Sequence, residues 1–232
     1  MSSLAETSAH RSDDTRKHLP DRAWYRYAQG LLPPAAEAGR WVDMGCGQGE
    51  FLELSAADGH ASMGLDFWAS NAQVVGEAGR PALAADLNKG LPFQDDALDG
   101  ATLIEVIEHI VRAEDLVAEL GRVIRPGGWL IVTTPNVVHL TYRIRTLTGH
   151  PPKQEGYHYR FFTRKTLKAT LAAAGFEIEG YASFGKQVVL SKLARLAGKG
   201  AKYKVRYVVP RPLEPLLAQH FVWRLRRKET GA

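Results

Sequence analysis

The stretch VDMGCGQGEF, residues 42 to 51, runs an apolar segment into an acid and then sets glycines at positions 45, 47 and 49. Glycine adopts φ > 0 without strain and lets backbone approach a neighbour closely. Three of them on alternate positions mark a loop built against something, not a solvent turn. Around the loop, short strand-like runs alternate with helical ones. RWVDM (40–44), ASMGLD (61–66), PALAAD (81–86), GATLIEV (100–106) and WLIVTT (129–134) read as strands, with helices between most of them, including one over 113–124. That alternation predicts crossover units, a parallel sheet and an α/β fold. A further helix is expected over 163–175, with Thr163 as its N-cap and Gly175 just past its end. FEIEGYASF reads as a strand after it, and HFVWRLRRK (220–228) as a last strand, at the edge or inserted antiparallel.

In an open parallel sheet, ligands sit outside the carboxyl ends of the strands, near the point where strand order reverses. The glycine loop follows the first such strand. A phosphate ligand fits poorly: the Walker Gly-Lys-Ser/Thr signature and the Gly-x-Gly-x-x-Gly spacing are both missing, and Asp43 would repel an anion. A cation or an amine suits it better.

The motif acid-x-Gly-x-Gly-x-Gly resembles the first motif of class I S-adenosylmethionine-dependent methyltransferases at every defined position. The resemblance implies that Asp43, Gly45, Cys46, Gly47 and Gly49 hold the methionine end of the cofactor. It implies that Asp66, ending the second strand, binds the ribose hydroxyls through a bidentate carboxylate. Asp86 with Leu87 would lie near the adenine, Phe67 and Trp68 over its face, and Glu105 among the cofactor contacts. VIRPGGWLIV is similar to the family's turn into its fifth strand, and the helix carrying Trp24, Tyr25 and Tyr27 to its cap over the cofactor. The likeness runs from about residue 21 to 183. The implied fold is a Rossmann-like, seven-stranded, mostly parallel sheet with helices on both faces and an antiparallel last strand.

LIEVIEHI puts Glu105, Glu108 and His109 at i, i+3 and i+4, so a helical turn there would project all three to one side. Two carboxylates and an imidazole on one face call for solvent or a cation between them. The oxygens suit Mg²⁺ or Mn²⁺, and Zn²⁺ tolerates the histidine. The segment resembles both the ubiquinone-biosynthesis O-methyltransferases and the enzymes that methylate the ribose 2′-hydroxyl of small RNAs. From the second group, the resemblance implies a metal held by Glu105, Glu108, His109 and His158, the last from HYRFFTRKTL. Without a metal, His109 or His158, assisted by Glu108, would serve as general base on a hydroxyl.

Charge divides along the chain. Residues 1–139 hold 11 Lys+Arg against 20 Asp+Glu, whereas residues 185–232 hold 12 against 2. A basic C-terminal segment on an acidic body suits an anionic partner: nucleic acid, a membrane surface or a phosphorylated substrate. The long connection over 135–162 carries Tyr142, Tyr157, Phe161, Arg143, Arg145 and Arg160, suited to an aromatic, sugar or nucleotide substrate. Apolar residues at 189, 193, 196 and 197 outline a short amphipathic helix for a membrane surface or the protein's own core. The single cysteine, Cys46, excludes an intrachain disulfide, and no apolar run approaches the roughly 20 residues of a membrane span.

The sequence therefore predicts a disordered leader over 1–20 and one methyltransferase domain over 21–232 with a basic insertion at about 185–217. The location expected is cytoplasmic, with a peripheral membrane contact through that insertion. The leading activity is methylation of a hydroxyl on a small molecule, glycan or lipid-linked precursor. Ribose methylation of RNA and a non-catalytic cofactor-binding regulator are the alternatives.

Overall fold

The computed structural model describes residues 23–151, 158–186 and 206–229. The leader over 1–20, Tyr157 and the amphipathic stretch after residue 186 lie outside the described residues. The chain passes through α1 (Ala23–Gln29), α2 (Ala35–Ala38), β1 (Trp41–Met44), α3 (Glu50–Ala56), β2 (Ser62–Asp66), α4 (Ala69–Glu77) and β3 (Ala82–Ala84). It continues through β4 (Leu98–Ile104), α5 (Ala113–Val123), β5 (Ile124–Pro135), α6 (Leu140–Leu147) and α7 (Arg164–Ala173). It closes with β6 (Phe176–Lys186), β7 (Arg206–Val208), α8 (Glu214–Leu217) and β8 (His220–Arg227). Single 3₁₀ turns occupy Leu87–Lys89, Ile107–His109 and Arg211–Leu213.

The eight strands among the described residues join one sheet in the order β3-β2-β1-β4-β5-β8-β6-β7. β1 to β5 pair in parallel, and β8 is inserted antiparallel between β5 and β6, so of the two positions open to the last strand it takes the inner one. The seven expected strands are present. The eighth, β7, is an addition: three residues antiparallel to β6, inside the stretch read as an insertion. Its backbone pairs with the edge of β6, a long-range contact that a three-residue run does not announce.

Side-chain alternation along the strands builds a layer on each face. Val42 and Met44 join Leu103, Leu130 and Trp223 beneath Leu116 and Leu120 of α5 and Leu167 and Leu171 of α7. On the other face, Trp41, Ile104, Ile131 and Val222 meet Trp24 and Tyr25 of α1 and Phe51 and Leu54 of α3. β1 is buried on both sides, hence its apolar run interrupted only by Asp43. α7 is capped as expected: Thr163 Oγ1 accepts from Thr166 N–H at 3.2 Å, and Gly175 follows at φ +82°.

Strand order reverses between β1 and β4, so the crevice for a ligand opens at their carboxyl ends. This junction is tight. A Cβ at Gly100, opposite Trp41 in the β1–β4 register, would stand inside van der Waals contact of the indole ring. Gly100→Ala should therefore cost about 1–3 kcal/mol of unfolding free energy, measured by denaturant titration.

Candidate functional site

Both Gly45 N–H (2.6 Å) and Cys46 N–H (3.0 Å) donate to Leu65 O, so the loop after β1 folds back onto the end of β2. Gly45 sits at φ +74°, and a Cβ there would lie 2.6 Å from Val106 Cγ2. The loop is therefore wedged between β2 and the segment after β4. Cys46 is buried, and burial, reinforced by Asp43, Asp66 and Glu50, pushes its thiol well above the usual range.

Asp66 ties the loop to the second strand. Its Oδ2 accepts from Gly47 N–H at 2.9 Å, and its Oδ1 from Trp68 N–H and Asn71 Nδ2, both at 2.9 Å. A carboxylate offers about four acceptor positions, so one remains for a ligand hydroxyl. Beside it Phe67 is 58% exposed and meets Trp68 edge-on, their centroids 5.0 Å apart. Asp86 caps the turn over Leu87–Lys89. Burial would raise its carboxyl, but the Asn88 bonds and the Lys89 charge hold it below the usual range.

Asp43 is buried in the sheet at the crevice. Thr102 Oγ1 on β4 donates to its Oδ1 at 2.5 Å. Burial pushes the Asp43 carboxyl up to about 7; the Thr102 bond opposes the rise, and the Glu50 and Asp66 charges add to it.

At the end of β4 the two glutamates part company. Adjacent residues of β5 point to opposite faces, and each takes one of them. Thr133, on the Ile131 face, accepts from Glu105 N–H at 3.0 Å and donates to Glu105 Oε1 at 2.8 Å. Thr134, on the Val132 face, donates to Glu108 Oε2 at 2.9 Å. Glu105 has φ +59°, uncommon for a non-glycine residue, and this reversal separates it from the turn that follows.

Glu108, His109 and His158 come together, their ligand atoms all within 4.8 Å of one another. Glu105 does not join them among the described residues, so the four residues grouped in the sequence are brought together as three. The tight 3₁₀ turn over Ile107–His109, where the spacing implies a longer helical turn, contributes to that result. His158 is delivered by main chain: Tyr159 N–H and Arg160 N–H both donate to Glu108 O, at 2.9 and 3.0 Å. Its ring meets His109 edge-on, centroids 4.7 Å apart. A shallow, open cleft lies against the cluster and is lined by Glu108, Pro135, Tyr142, His158, Arg160 and Phe161. A divalent cation could be held by the three side chains, and a cofactor by the glycine loop, Asp66 and Phe67.

Sequence reasoning missed His220. It opens β8, stacks on Trp24 of α1 at 3.7 Å between centroids, and brings Nδ1 to 3.0 Å from Glu105 Oε2, off the line of a hydrogen bond. Its signal is its place as the first residue of the last strand, readable only once that strand is known to lie beside β5.

A methyltransferase-domain profile matches residues 16–180, more than half of the chain. The chain belongs to the class I S-adenosylmethionine-dependent methyltransferases. A probable S-adenosylmethionine-dependent methyltransferase of Mycolicibacterium smegmatis is 32% identical over 67% of this chain and 60% of its own length. This methyltransferase therefore spans less than two thirds of that relative. The ubiquinone/menaquinone biosynthesis C-methyltransferase of Geotalea daltonii is 29% identical over 75% of this chain and 86% of its own. The ubiquinone biosynthesis O-methyltransferase of Chromobacterium violaceum is 28% identical over 72% and 67%. The fold matches that of a methyltransferase structure from Thermotoga maritima, with TM-score 0.68 and 18% identity over 97% of both chains.

Asp43 makes the methyltransferase sensitive to pH. Its carboxyl rises from an ordinary 3.8 to about 7 on folding. Below the lower value it is protonated in both states and costs nothing. Between the two values the unfolded chain ionises while the folded one holds its proton, so stability falls by about 1.4 kcal/mol for each tenfold drop in proton concentration. Above the upper value both states are ionised and the loss is constant. Asp43→Asn should gain stability relative to the parent between about pH 4 and 7 and hold that gain above, read from denaturant unfolding across pH.

Proposed function

We propose that this methyltransferase methylates a hydroxyl oxygen of a small-molecule, glycan or lipid-linked acceptor entering the cleft beside Glu108, His109 and His158. The observation that carries the reading is the convergence of those three side chains at the carboxyl end of β4, against a cleft with aromatic and cationic walls. An acceptor hydroxyl must lose its proton as it attacks, and an imidazole is the side chain best matched to take one near neutral pH. The name of the Chromobacterium violaceum relative supports oxygen as acceptor; that of the Geotalea daltonii relative points to carbon.

S-adenosylmethionine, when bound, supplies a methyl group on a sulfonium that leaves as a neutral thioether. The residues at the crevice fit it. Asp43 offers a carboxylate for the cationic methionine end and is held by Thr102. The loop, drawn tight onto Leu65 O, would hold the methionine end of the cofactor on its glycine backbone. Asp66 takes a ribose hydroxyl, and exposed Phe67 gives the adenine an apolar face. His158 lines the cleft and accepts the proton, while Glu108, fixed by Thr134, orients the pair of histidines. Most of the acceleration comes from alignment and exclusion of water, because the transfer needs no covalent help from the protein.

The same three residues would hold a divalent ion, which would lower the hydroxyl's pKa. With Glu105 turned to the opposite face, the donors are one carboxylate and two imidazoles. That set suits Mn²⁺ or Zn²⁺ better than Mg²⁺, which prefers oxygen.

Transfer of labelled methyl into fractionated host extract, with and without chelator, tests the reading. Label is expected in alkali-stable ether products of the small-molecule, glycan or lipid fractions, and label confined to carbon or to RNA would overturn it. Glu108→Gln should lower turnover by about 10²-fold or more with cofactor affinity unchanged, measured by calorimetry. Asp66→Ala should weaken cofactor binding at least about tenfold, because it removes a hydroxyl acceptor and frees the loop at Gly47 together.

A further inference from the structure

α6 is turned inside out. It buries no residue, and its apolar side chains at i, i+4 and i+7, Leu140, Ile144 and Leu147, are 41%, 52% and 87% exposed. A helix normally turns such a stripe to the core; presented outward, it marks a contact surface. The patch extends onto neighbouring α8, where Leu216 is exposed, and onto Leu213 just before it. Its charges are of one sign. Residues 136–151 contain Arg143 and Arg145 and no Asp or Glu. Of the carboxylates near the patch, Glu214 is buried and paired with Arg164 at 3.1 Å, and Glu114 is paired with Arg160 of the cleft. The first 139 residues, by contrast, carry a net −9 from 11 basic and 20 acidic side chains.

We infer that the α6 face docks this methyltransferase on an anionic lipid bilayer, so that a lipid-linked acceptor reaches the cleft from the membrane surface. An apolar stripe bordered by arginines and free of acids matches the headgroup boundary of an anionic leaflet. Tyr142, on the side of the same helix away from the stripe, lines the cleft, and exposed Phe161 lines it too, so the docked helix forms one wall of the acceptor entrance. Eight residues make a weak anchor alone; here the helix is already formed before it meets the bilayer. The surface stands on exposure and charge. Only the step from surface to lipid-linked acceptor rests on the hydroxyl reading above.

The test is flotation of the full chain with vesicles of phosphatidylcholine alone or mixed with phosphatidylglycerol. Binding is expected to the mixed vesicles and to weaken as salt is raised. The double variant Ile144→Ser with Leu147→Ser should bind at least about tenfold more weakly, with melting temperature and cofactor affinity unchanged because neither side chain enters the core. A parent that stays off the mixed vesicles overturns the inference. So does a double variant that floats like the parent, which would assign the contact to the basic stretch after residue 186. Vesicle binding reads the surface independently of turnover. Loss of hydroxyl methylation with docking retained would count against the proposed function, and the converse against the surface.

Discussion

One buried hydrogen bond, from Thr102 to Asp43, joins the two strands between which the order of the sheet reverses. Everything at the crevice is arranged around that junction. Burying an acid in the sheet is expensive, and a single hydroxyl offsets only part of the cost. The acid stays because it stands where the chain leaves β1 for the glycine loop. That loop is bent onto β2 through Leu65 O and bolted to it by Asp66. Two carboxylates and three strand ends thus form one unit before any ligand arrives.

The second organising fact is the alternation of β5. Thr133 and Thr134 are neighbours in sequence and face opposite layers of the domain, and each fixes a glutamate on its own side. The Thr133 side gathers Glu105 and His220 with Trp24 of α1. The Thr134 side gathers Glu108, His109 and His158 near the cleft. The left-handed backbone at Glu105, a conformation costing about 1–3 kcal/mol for such a residue, lets a four-residue stretch serve both.

The sheet is legible in the sequence because parallel strands buried on both faces leave short apolar runs, and crossover helices separate them at regular intervals. The glycine loop and Asp66 are legible because their spacing is local to one turn. The division of the EVIEH segment is not. Its i, i+3, i+4 pattern assumes regular helix, and nothing local reveals that Glu105 turns the other way to meet Thr133, 28 residues downstream. His220 and strand β7 escape for a related reason: their partners lie far away in sequence, and only the assembled sheet supplies them. α6 misleads in another way. Its stretch advertises individual aromatic and cationic side chains, and the outward direction of its apolar stripe belongs to packing, not to pattern.

His158 reaches the cleft because two backbone amides, those of Tyr159 and Arg160, clasp the carbonyl of Glu108. No side chain takes part in that clasp, so it is indifferent to which residues flank the histidine. The connection before it can drift in sequence without displacing the imidazole. If the proposed function holds, a lineage could thus change what the enzyme accepts by rewriting that connection while its chemistry stays in register, leaving a scaffold whose specificity evolves separately from its catalysis.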